Sequence, residues 1–282
     1  MERTALTDSN LAGLLRLLED ADPGLTRTLV DRMAGFDPAE RDRIEEQARN
    51  APTAVRIAVR RARIRAGYNA ELPHWQAALM RRSLDLEGAI VALGRAAGAG
   101  GISEVSTRLD ALAEQVGRLL SGDRAYDTGL SAIAEVLHKR HRLRGNEANY
   151  HHPGNSYLQT VLETGLGMPI SLCVIAMLVG RRLELPVNGV STPGHFLGYY
   201  GDADLGIGAW FDPFAGFARI SEAQAKAIVA RYSDDFEFIG PRAARDSEVL
   251  MRWVSNLVNA WTQLGDFEHA RNLGEWAGSI AL

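Results

Sequence analysis

Three residues in the stretch 165–213 have side chains that together perform nucleophilic chemistry. They are Cys173, the only cysteine of the chain, His195 and Asp212. A thiol attacks an acyl carbon as its thiolate, an imidazole takes up the thiol proton, and a carboxylate orients the imidazole and stabilises its cation. Ser171 offers a hydroxyl as an alternative nucleophile on the same segment. The same residues can equally frame a site that binds without turning anything over.

The elements that must position them are legible around them. Gly165–Gly167 is a break, and Pro169 suits the first turn of a helix, where a missing N–H costs nothing. The helix is expected to run to about Leu183. Ser171 and Cys173 fall in its first turns, where free N–H groups and the positive dipole end lower a thiol pKa and can hold an oxyanion. Leu172 and Val174–Val179 are apolar almost all round, which marks a buried central helix. In that setting Cys173 also reads as a small core residue.

Downstream, Leu185–Val190 reads as a short strand, and Pro193-Gly194 leads into a second strand from His195 to Tyr200. Residues 202–208 read as a hairpin loop, answered by a strand Ala209–Phe211 that ends at Asp212-Pro213. If the two strands pair antiparallel, His195 at the start of one lies near Asp212 at the end of the other. Upstream, the polar loop 145–156 precedes an apolar helix, so Tyr150, Asn155 and Ser156 are candidate substrate-binding residues.

The rest of the chain is mostly helical. Residues 1–101 read as a stack of short helices: one after Asp8-Ser9-Asn10, one through Leu25–Met33, one opened by Asp37-Pro38, one over Thr53–Ala66 and one over Ala77–Ala97. Arg56, Arg60, Arg61, Arg63 and Arg65 make Thr53–Ala66 basic, a face expected to pair with Glu40, Asp42, Glu45 and Glu46. Ala96–Gly101 is the expected linker, followed by an amphipathic helix Ser103–Leu120 stopped by Ser121-Gly122, and a helix Thr128–Arg142. His138 and His141 share a face of that helix without a third ligand at helical spacing, so no metal or other cofactor is expected. Val249–Trp276 reads as a helix pair. Domains are therefore expected at 1–101, 102–240 and 241–282.

Composition narrows the function class. The 282 residues are 46% hydrophobic and 23% charged with a net charge of −4, an ordinary globular balance that argues against a nucleic-acid or membrane partner. One cysteine excludes an internal disulfide framework and fits a reducing compartment. The start MERTALTDSNLAGLL lacks the basic head and apolar run of a signal peptide, and the apolar windows are too short to span a bilayer, so a cytoplasmic location is expected.

Several ordered motifs then carry a resemblance. They are Arg144-Gly145-Asn146, Asn155–Leu158 with Val161-Leu162-Glu163, Gly167–Leu172, Arg181-Arg182-Leu183 with Leu185-Pro186-Val187, Pro193–Leu197 and Asp212-Pro213-Phe214. Over roughly 109–220 the chain resembles the transglutaminase-like superfamily, and within it the SirB-type bacterial proteins. The resemblance implies an α+β fold: a mainly helical N-terminal region, a papain-like core with a buried helix on a small antiparallel sheet, and a C-terminal helix pair like a shortened tetratricopeptide-like tail. It also implies a Cys-His-Asp site, filled here by Cys173, His195 and Asp212. Counting back from Leu183–Pro186, however, puts the family's cysteine position near Pro169, about one helical turn before Cys173. The expected function is a non-hydrolytic binding or regulatory module for a protein or peptide partner. The alternatives are a cysteine-nucleophile acyl transferase or amidase, and a helical adaptor.

Overall fold

A computed structural model describes residues 7–99, 102–120, 125–233 and 238–280. The stop expected at Ser121-Gly122, the end of the linker at Gly100-Gly101 and Leu282 lie outside them. The described residues form twelve α-helices around a four-stranded antiparallel meander, the mixed α+β architecture expected.

Helices α1 (Asp8–Glu19), α2 (Pro23–Ala34) and α3 (Pro38–Ala48) each begin at a side-chain cap: Thr7, Asp22 and Asp37 accept backbone N–H groups of the first turn. Pro23 and Pro38 take the first helical positions. These helices close a local apolar core with the first half of α4 (Thr53–Leu79), through Leu11, Val30, Met33, Ile44 and Val55.

The Arg-rich stretch continues well beyond Ala66 as the 27-residue α4. Its arginines do more than face the acidic helix. Arg63 pairs with Glu45 of α3, but Arg60 reaches Asp266 and Arg65 reaches Asp31 and Glu275. The single helix expected over Ala77–Ala97 is two. The chain turns after Leu79, and Asp85 accepts the Gly88 N–H at 2.9 Å to start α5 (Leu86–Ala96) afresh. A local cap outweighs continuous helical spacing there.

The second half of α4 and α5 join a larger core that runs from Tyr68 to Ile280, across both expected domain boundaries. At its centre lies α9 (Pro169–Arg182), whose residues 169–180 are all buried. It packs on β3 (Val187–Thr192) and β4 (His195–Asp202), and against α6 (Ile102–Leu120), α8 (Leu158–Thr164) and α11 (Asp246–Gln263). Arg182 at its end binds Glu87 of α5 and Asp110 of α6.

Helix α7 (Tyr126–Ala134) passes into a π-helical turn, Glu135–Arg140, where one α-helix to Arg142 was expected. Gly165 stops α8 in the left-handed conformation, φ 74°. Two-residue strands β1 (Arg144–Gly145) and β2 (Leu166–Gly167) pair in parallel beside it.

The sheet runs β3-β4-β5-β6, with β5 at Ile207–Asp212 and β6 at Ala218–Ile220. Alternation along β4 sends Phe196 and Tyr200 into the α9 core, and Leu197 and Tyr199 into a second cluster with Ala225 of α10 (Glu222–Ala230). Both faces are thus covered, which explains why β4 is apolar without polar alternation. Helices α11 and α12 (Phe267–Ala277) form a hairpin that packs back on α4. No described helix is long and apolar enough to cross a membrane.

Candidate functional site

The turn that delivers His195 is built from Pro193 and Gly194 between paired Thr192 and His195. Gly194 has φ 64°, and a Cβ there would meet the Tyr232 ring at 2.1 Å. Only glycine meets both demands. On the next hairpin Gly198 faces Phe211, so the ladder carries Leu197 on to a place opposite Asp212. His195 then falls on the same side of the sheet as Asp212, as its diagonal neighbour.

The side chains do meet. His195 Nε2 lies 3.0 Å from Asp212 Oδ1, both residues are buried, and the same oxygen accepts the Phe214 N–H at 2.9 Å. Against a carboxylate oxygen, which accepts, Nε2 is the donor of this bond. Nδ1 makes no hydrogen bond to any described residue. Phe214 and Tyr232 wall the ring edge-on and face-on, with centroids at 6.2 and 6.5 Å.

His195 opens on a cavity of about 650 Å³. It is also lined by the start of α9, Met168, Pro169 and Ile170; Tyr150 and His151 come from the loop, and Arg252, Ser255, Asn256, Asn259 and Gln263 from α11. The cavity thus lies between the buried helix, the His-bearing strand and the C-terminal hairpin.

Cys173 lies one turn further into α9 than Pro169. It is fully buried, is not part of the cavity wall, and points its Sγ at the Leu197 carbonyl, 3.6 Å away. Burial, with a smaller effect from the Asp212 carboxylate, pushes its thiol far above the ordinary range. Ser171 is also fully buried. Its Oγ accepts the Met168 N–H at 2.9 Å and lies 2.6 Å from the Asn155 carbonyl, so it closes the first turn of α9. The structure therefore joins His195 to Asp212 and leaves both candidate nucleophiles in the core.

Of the three loop residues, Tyr150 alone lines the cavity. Burial raises its hydroxyl pKa, aided by Tyr232 and partly offset by the Arg252 charge. Asn155 is committed to the loop itself: Nδ2 donates to the Asn149 and Tyr150 carbonyls at 2.6 and 2.9 Å, and Oδ1 accepts from Asn146 Nδ2 at 2.9 Å. Ser156 Oγ lies 3.1 Å from Met168 Sδ, under the start of α9. These two residues shape the wall without reaching it.

Two contributors escape a reading of the sequence. Arg252 donates through Nη1 to Ser191 Oγ at 2.9 Å and to the Thr192 carbonyl at 2.6 Å, and through Nη2 to the His195 carbonyl at 2.9 Å. It thereby clamps the turn that carries His195. Tyr232, just beyond α10, covers the ring. Nothing local marks either one, because each arrives through the docking of a distant helix. His138 and His141 bond separately, to the Leu143 carbonyl and to Gln115. No cluster of three metal-ligating side chains occurs among the described residues.

Comparison with known proteins places the chain in a family. Residues 103–255 match the family model described as transglutaminase-like superfamily. A UPF0162 protein of Xylella fastidiosa (strain 9a5c) is 48% identical over 149 residues, 50% of this chain and 52% of that one. A UPF0162 protein of Pseudomonas aeruginosa is 29% identical over 164 residues, 56% of this chain and 57% of its own. F-box only protein 21 of Mus musculus is 37% identical over 68 residues, 24% of this chain and 11% of that protein. The chain thus spans about half the length of the UPF0162 relatives it matches. No solved structure matches.

Proposed function

This chain belongs to the transglutaminase-like superfamily, and from that premise we propose that it is a non-hydrolytic module that binds a protein or peptide partner in the cavity beside His195. One observation carries the reading. The helix end that lines the cavity together with His195 presents Pro169, which has no nucleophilic atom, while the only thiol is buried against the Leu197 carbonyl.

Acyl transfer needs a nucleophile within hydrogen-bond reach of its base, about 3–4 Å. Cys173 Sγ is instead directed at the Leu197 carbonyl, 3.6 Å away, in the buried core. The His195–Asp212 pair is then a fixed hydrogen-bonding element of the wall. Within the superfamily we assign the chain to the SirB-type proteins, on Pro193–Leu197 and Asp212–Phe214, and read α11 and α12 as a shortened tetratricopeptide-like pair.

The test is incubation of the full chain with an immobilised random-sequence peptide array, with capture read on the array and products read by mass spectrometry. We expect captured peptides and no cleaved or transamidated product. Product formation that disappears in Cys173→Ala or Ser171→Ala would overturn the reading in favour of an acyl transferase or amidase. Absence of any capture would overturn the peptide-binding reading.

A further inference from the structure

Arg252 is the element of the cavity wall that the dyad does not explain. Its guanidinium is half-buried, and burial lowers its pKa. Three of its five N–H donors are used by Ser191, Thr192 and His195, and all three acceptors are neutral oxygens. No carboxylate of the described residues pairs with it. Glu248, the one carboxylate in the wall, is engaged with Arg242 and Arg245. The Arg252 guanidinium also lies over the Phe196 ring, 5.8 Å from the centroid; every partner of this cation is thus neutral, and a half-buried charge without a counter-ion favours an anionic guest.

The rest of the α11 face extends that argument. Asn256, Asn259 and Gln263 follow Arg252 at helical spacing and line the same cavity. None of their side-chain amides makes a hydrogen bond to a described residue. From Arg252 to Gln263 the helix rises about 16 Å at about 1.5 Å per residue. An extended peptide covers that distance with about five residues, at about 3.3 Å each. A row of amides offers both donors and acceptors, as a peptide backbone does.

We propose that the cavity takes an extended peptide segment whose carboxylate sits on Arg252 next to His195, with its backbone along Asn256, Asn259 and Gln263. The assignment rests on the peptide-binding reading above and names the chemistry that site selects. A chain-terminal carboxylate and an aspartate or glutamate side chain offer the same group.

The experiment uses the full chain and three versions of one peptide array: free C-termini without acidic residues, amidated C-termini without acidic residues, and amidated C-termini with one glutamate at varied positions. Capture by the free-terminus set at least tenfold above the amidated neutral set identifies a terminal carboxylate. The same preference for the glutamate set identifies a side chain. Equal capture by all three overturns the carboxylate assignment but leaves peptide binding standing, whereas no capture from any set overturns both. The comparison is made on the unaltered protein, so it does not depend on a variant folding. Arg252→Gln, checked for a native circular dichroism spectrum, should lose the preference. A preference unchanged in that variant would also overturn the assignment.

Discussion

Asp212 Oδ1 holds two donors at once, His195 Nε2 at 3.0 Å and the Phe214 N–H at 2.9 Å. One carboxylate oxygen therefore fixes both the imidazole and the turn after β5 that walls it. Asp212→Ala leaves a buried donor and a partly buried one without an acceptor. The expected cost is about 1–3 kcal/mol, read as a lower urea midpoint, with Asp212→Asn costing less because an oxygen is kept. A loss below about 0.5 kcal/mol would mean that water replaces the carboxylate and that the pair is not a rigid unit.

The environment of Cys173 predicts an inert thiol. It is fully buried, and its ionisation is opposed first by burial and then by the Asp212 charge. Iodoacetamide at neutral pH should leave the native protein unlabelled and label it fully in urea. Rapid labelling of the native protein at mildly acidic pH would reveal an activated thiolate and sink the non-hydrolytic reading.

Gly194 predicts a separable pair of costs. Gly194→Ala forces an L residue to φ 64° and drives a methyl group into the Tyr232 ring. The backbone contribution is about 1–2 kcal/mol. The steric one should vanish in the double variant Gly194→Ala/Tyr232→Ala. Chemical denaturation of the single and double variants measures both. If the double variant gains nothing relative to the two singles, the ring is not what Gly194 makes room for.

His269 predicts a pH dependence remote from the cavity. It is buried between α4 and the α11–α12 hairpin, stacked on Trp261 at 4.1 Å with Tyr68 Oη 3.2 Å from Nδ1. Burial, more than any neighbouring charge, lowers its pKa below the ordinary histidine value. The unfolded chain therefore binds the proton more readily than the folded one. Stability should be full above the unfolded pKa of about 6.5 and fall as the pH drops from there towards the lower folded value. Urea midpoints measured between pH 8 and pH 5 should show the decline, and His269→Gln should flatten it. An unchanged slope in that variant would place the sensitivity elsewhere.

Much of the fold was legible because it rests on local rules. Pro169 at a first helical turn, an all-apolar run after it, and a Pro-Gly turn before His195 define a buried helix and a hairpin without reference to anything distant. Strand pairing alone then carries His195 to Asp212, because a hairpin fixes its own register. The helix break at Asp85 was less legible. Helical spacing runs through it, and a single capping contact decides against continuity.

The sequence by itself determined the central helix and the His195–Asp212 pair, since each follows from spacing within one segment. Only the tertiary structure decided which side chains the site uses. Pro169 and Cys173 share a face of α9 one turn apart, and where the helix lies along the sheet puts Pro169 at the cavity and Cys173 against the Leu197 carbonyl. The docking of α11 brings Arg252, which lies 57 residues from His195 in sequence, onto the turn that carries it. The placement of a helix along a sheet and the docking of helices are set by how whole apolar faces fill a shared core, and no local spacing encodes that fit.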